Sequence, residues 1–130
     1  MKRRNSLSVD AQVSRLGPLV EAVVNAVLDT PGSTAPDVRR RVRDASGAAD
    51  AAGGADAAGE DLLPQSRAAS ARAASYLAKV RQHAYRVVDG DVEGLTLAGL
   101  DDDAVFELTA AAALGEAQRR LDAGLSALKA

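Results

Sequence analysis

Three features of the sequence predict an all-α domain. Alanine, the strongest helix former and a residue depleted in strands, supplies 29 of the 130 positions. Apolar residues recur at spacings of three and four through most of the chain. Between these runs, Ser, Thr, Asp, Pro and Gly stand where helices begin and stop. The hydrophobic fraction is 47%, yet only 32 of those residues are larger than alanine, and Ile and Trp are absent. The core must therefore be made of Leu, Val and closely approaching Ala faces. At this length one domain is expected, with about five helices. It divides into an N-terminal helical pair (1–46), a linker (47–61) and a helical core (62–130).

The first helix is marked by Val13, Leu16, Leu19, Val20, Val23, Val24, Val27 and Leu28, with polar residues between them. Gly17-Pro18 is a possible interruption, and Pro31-Gly32 stops the helix near Thr30. A short second helix follows, with Ser33 or Thr34 as N-cap and Pro36 in its first turn, where a missing N–H costs nothing. Only Val38 and Val42 are expected to face inward from it. The stretch GAADAAGGADAAGE, 47–60, has no side chain large enough to anchor it and reads as a flexible linker.

After Pro64, the positions Ala69, Ala73, Tyr76, Leu77, Val80, Ala84 and Val87 describe a third helix. Asp89 can cap a short fourth helix, and Gly99 is placed for a left-handed C-terminal cap. The fifth has the clearest start: Asp101 as N-cap, Leu100 and Val105 as a hydrophobic staple, Asp102 and Asp103 against the positive end of the dipole. Glu107 is its single charge from Ala104 to Gly115, which predicts a central helix enclosed on most sides. Further on, Glu116 is spaced to pair with Arg119 and Arg120, and Leu121, Leu125 and Leu128 continue an apolar stripe.

Composition excludes several kinds of chemistry. Without cysteine there is no thiol nucleophile, disulfide or thiolate metal site. A single histidine argues against a His-rich metal centre, so no metal or cofactor is expected. The net charge of −2 gives no overall attraction to nucleic acid or anionic membrane. The basic start MKRRN leads into polar residues, without the apolar core of a signal peptide, and no segment is long enough to span a bilayer. A cytoplasmic location is the expectation.

His83 and Glu107 are the candidate catalytic residues. His83 flanks the third helix's apolar stripe; it is either an acid or base at a helix interface or a structural partner of a carbonyl or carboxylate. Tyr85, two residues on, is expected about 200° around the helix, on the opposite face. Glu107 lies on an otherwise apolar segment with no basic residue three or four positions away, so its partner comes from elsewhere in the fold, from another subunit or from solvent. The run Arg39, Arg40, Arg41 and Arg43 is expected to be a solvated face and not a phosphate site, since no aromatic or glycine-rich loop accompanies it. Ala110 to Ala113 with Gly115, and Ala117 with Gly124, form small-residue faces suited either to internal packing or to subunit contact.

Residues 76–128 resemble the C-terminal half of the alkylhydroperoxidase D and carboxymuconolactone decarboxylase superfamily. The matching positions are Val88-Asp89, Asp91-Val92, Leu95, Ala98-Gly99, Asp101, Asp103, Val105 and Arg120-Leu121. The resemblance implies a helical subunit of a trimer or hexamer. It also marks a departure, because redox members use a C-x-x-C pair that this chain lacks. Two functions follow as expectations. One is a non-redox helical subunit that oligomerises or binds another protein. The other is a cysteine-independent enzyme for a small organic acid or lactone, with His83 or Glu107 as acid or base.

Overall fold

A computed structural model describes residues 8–48, 62–63 and 66–130, Val9 by its backbone alone. Five α-helices follow one another: α1 (Val9–Asp29), α2 (Pro36–Gly47), α3 (Arg67–His83), α4 (Asp89–Leu97) and α5 (Asp102–Lys129), with a single 3-10 turn, Ala84–Arg86, after α3. The described residues contain no strand. Gly47 closes α2, and 49–61 of the expected linker lie outside the described residues.

Ser8 caps α1, its hydroxyl accepting the Ala11 N–H at 3.3 Å. The helix passes through Gly17-Pro18 without the expected interruption. Pro18 frees the Ser14 carbonyl, but both residues are exposed, and water can serve that oxygen. The C-terminal half of α1 docks through Val24 and Leu28, with Val20 and Val27 partly buried beside them.

The α2–α5 contact is the main seam of the fold. Val38 and Val42 of α2 are buried, and so are Arg39 and Ser46, which the simple inward face of two valines did not include. Opposite them α5 presents Ala104, Leu108, Ala111 and Gly115, spaced four, three and four, all buried. Gly115 sets the separation: a Cβ there would stand 2.2 Å from the Arg43 carbonyl oxygen, so only glycine lets the two backbones meet. Thr34 and Glu107 mark one end of the seam and Arg43 and Gln118 the other, so the two helices run in the same direction.

Along its length α3 also follows α5. The Tyr76 and Thr109 hydroxyls share a hydrogen bond of 2.9 Å. Ser70, wholly buried, accepts the Leu63 N–H at 2.9 Å and donates to the Leu63 carbonyl at 3.0 Å, which fixes Leu62 and Leu63 in the core without leaving a polar atom unpaired.

The joint between α4 and α5 is fully capped. Gly99 has φ of 99°, its N–H reaches Thr96 and that of Leu100 reaches Leu95, the paired bonds of a Schellman motif with its two leucines buried. Asp101 then starts α5 by accepting the Ala104 N–H at 2.7 Å, and Leu100 and Val105 are both buried, as the staple predicts. At the other end of α4 the N-cap is Val88, not Asp89, and the carboxylate of Asp91 accepts the Val88 N–H at 3.0 Å while Lys79 holds it at 2.5 Å. The Lys79 hydrogen bond, followed by that from Val88, lowers the Asp91 pKa.

Candidate functional site

Glu107 sits where the α1–α2 turn meets α5. Its carboxylate accepts the Ser33 N–H at 2.8 Å, the Thr34 N–H at 2.7 Å and the Thr34 hydroxyl, and Arg39 lies 3.6 Å away. Burial works to raise its pKa; the hydrogen bonds from Thr34 and Ser33 and the Arg39 charge together outweigh that, and the net shift is downward. Glu107 is thus held ionised as an acceptor, tied on every side to its own chain. This arrangement also moves the α2 cap: Ala35 takes the N-cap position, and Thr34, one residue earlier, spends its hydroxyl on Glu107. The Pro31-Gly32 pair does more than end α1. A Cβ on Gly32 would fall 2.0 Å from the Glu107 carboxylate, so the glycine makes room for it.

Arg39 is the residue that sequence reasoning missed. Only 2% exposed, it donates to the Thr30 carbonyl and faces Glu107. The available signal was its spacing, because Arg39, Val42 and Ser46 recur at three and four, as a buried stripe does. Its neighbours are also engaged: Arg40 with Asp29, Arg41 with Asp37 at 3.0 Å, and Arg43 with Asp44 at 2.7 Å. An arginine run divided in this way among local carboxylates does not present a row of free cations to a phosphate backbone.

His83 lies elsewhere. It is exposed at the last residue of α3, and its ring meets that of Tyr85 edge to face, 5.8 Å between centroids. The expectation that these two side chains point to opposite faces is therefore corrected. It assumed an unbroken helix, whereas the backbone leaves α-geometry at His83, with φ of −150°, and the following 3-10 turn swings Tyr85 back. Arg86 completes the group, 5.7 Å from the Tyr85 ring centre. The structure does not bring His83 and Glu107 together. Neither lines the cavity of about 280 Å³ between the starts of α2, α3 and α5, nor the open cleft of about 330 Å³ between Gly47 and Gln118.

What the surface does offer is apolar area. Leu16, Leu19 and Val23 of α1 are more than half exposed, and on α5 so are Phe106 (73%) and Leu128 (71%), with Leu121 at 47%. The expected enclosure of α5 holds for its inner face alone. Phe106, Ala110, Ala113, Ala117, Leu121, Gly124 and Leu128 fall within roughly an 80° arc at about 100° per residue, on the side away from the buried Ala111 and Gly115. All are exposed except Ala110, which is half-buried. A Cβ added at Gly124 meets nothing within 4 Å. The predicted pairing of Glu116 is present, to Arg119 at 2.7 Å and Arg120 at 2.7 Å, and the Arg119 hydrogen bond leads in lowering the Glu116 pKa to about 2.

The positions that carry the family resemblance have local duties here. Asp91, Gly99 and Asp101 punctuate α4 and α5, and Leu95 and Val105 are buried at that joint. Among the described residues no group of His, Asp and Glu has the arrangement of a metal site, and no helix is long and apolar enough to cross a membrane. The chain matches no family model, no curated protein and no solved structure.

Proposed function

We propose that this chain works by association, as a helical subunit that binds protein through apolar helix faces, without thiol chemistry of its own. The observation that carries this reading is the uncharged stripe along α5, whose large residues Phe106, Leu121 and Leu128 stay exposed in a chain short of large apolar side chains. Exposed apolar residues that line up on one element, and are not scattered singly, are the mark of a contact surface. The residues with chemical potential support the same reading from the other side. Glu107 is consumed in holding the α1–α2 turn, and the arginines of α2 are paired.

Recovery of the tagged chain at native concentration, followed by its mass in solution, tests this. A stable complex, with itself or with another subunit in fixed ratio, is expected. A monomer recovered with nothing bound removes the reading.

A further inference from the structure

We infer that the partner on α5 is a second copy of this chain, docked antiparallel along the stripe from Phe106 to Leu128. The inference rests on the association reading above and specifies its face, occupant and register.

The stripe extends over about 33 Å at 1.5 Å per residue. Its order along the helix is large, small, small, small, large, small, large: Phe106, Ala110, Ala113, Ala117, Leu121, Gly124, Leu128. When two such helices are laid head to tail about a two-fold axis near residue 115, one register serves the contact from Phe106 to Gly124. Phe106 of each copy lies over Gly124 of the other, and Leu121 over Ala110. Ala113 and Ala117 meet at the centre, where the backbones come closest. Phe106 and Leu121 then each face a small residue, the condition for interdigitated packing at native density, while Leu128 reaches the level of Asp102 and Asp103 at the rim of the contact. In the parallel arrangement Phe106 meets Phe106 and Gly124 meets Gly124, so bulk faces bulk and a gap faces a gap.

Charge selects the same orientation. The stripe begins beside Asp102 and Asp103 and ends beside Lys129, all three exposed. In the head-to-tail register the Lys129 of each copy comes to the acidic end of the other, whereas a parallel pair sets acid against acid and base against base. The helix dipoles oppose one another in the antiparallel pair as well. Within the overlap, Arg120 is the charged residue at the stripe's edge, and its Nε is turned onto Glu116 of its own helix at 2.7 Å. A two-fold contact of this kind is isologous and closes on itself as a dimer.

The test uses the full chain in three forms. Light scattering of the wild type is expected to give twice the chain mass of 13.3 kDa, and Ala117→Glu, which sets a carboxylate at the centre of the seam, to give one chain mass with an unchanged helical circular dichroism spectrum. Because the chain has no cysteine, A113C and A117C chains can be mixed under mild oxidation, and the mixed pair is expected to cross-link faster than either variant alone. Lys129→Glu is expected to weaken the dimer about three- to fivefold at low salt, and less at high salt. A dimer that survives Ala117→Glu overturns this inference while leaving association through another face in place. A wild-type monomer overturns it too, and a monomer that also recovers no other subunit removes the association reading with it.

Discussion

α5 has two small-residue faces made from the same few residue types, and they meet opposite fates. The inner one, with Ala111, Ala112 and Gly115, is buried by α2 and its neighbours to the point where Ala111 and Ala112 have no exposure. The outer one, with Ala113, Ala117 and Gly124, is exposed, and a Cβ added at Gly124 meets nothing within 4 Å. Composition does not separate them. What separates them is whether a second surface carries residues that fit, and on the inner side α2 supplies Val38, Val42 and Ser46, with Arg39 at the Glu107 end. A small-residue face is thus half of a contact, whose meaning depends on the other half.

The strongest way to break that contrast is to fill the inner face. Gly115→Val drives a side chain against the Arg43 carbonyl and is expected to destabilise the fold by about 3 kcal/mol or more, since backbone cannot give way as a side chain does; urea unfolding measures it. Gly124→Val on the outer face is expected to leave the single chain's fold intact, because an added Cβ there meets nothing of its own chain within 4 Å, and to weaken only the dimer, where Phe106 of the second copy takes that space. Glu107→Ala comes next. It leaves Arg39 buried without its carboxylate and three donors of the turn unpaired, at about 2–3 kcal/mol, and the same measurement detects it. Gly99→Ala, which forces a Cβ into positive φ at the α4–α5 joint, is expected to cost about 1 kcal/mol.

The smallest effect is electrostatic. Glu116 and Glu107 have pKa values depressed in the folded chain, Glu116 to about 2. A depressed carboxylate stabilises the fold above its unfolded pKa of about 4.3 and loses that contribution as pH falls through the folded value. Thermal stability is therefore expected to decline from about pH 5 towards pH 2, and Glu116→Gln to flatten part of that decline. Solvent screens the Glu116 ion pairs, so the flattening is modest.

The helices were legible in the sequence, and so were the caps at Gly99 and Asp101, because each of those signals acts within four or five residues, whereas the caps of α2 and α4 fall at Ala35 and Val88 and not at the expected residues. Asp101 and Gly99 take the expected places for local reasons, and Pro36 opens α2. The long-range relations were not legible. Glu107 was recognisable as a carboxylate in need of a partner, but Ser33, Thr34 and Arg39 lie about 70 residues earlier, and nothing in the local pattern points to them. Gly32 looked like a stop signal because its second duty depends on that distant side chain. His83 and Tyr85 were misplaced for the opposite reason. A periodic pattern was extended one turn too far, past the point where the helix changes its geometry.

The clasp of Glu107 on Ser33 and Thr34 closes a loop of 74 and 73 residues, and this bears on how the molecule is made. On the ribosome α1 and α2 emerge well before α5, yet the partner of α2 is α5. Until α5 has been synthesised, Val38 and Val42 lack the helix that forms their main seam, and Arg39 lacks the Glu107 carboxylate. The N-terminal pair is therefore expected to reach its native packing only after α5 is made. With so many native contacts distant along the chain, folding is expected to be slower than in a bundle whose consecutive helices pack on one another.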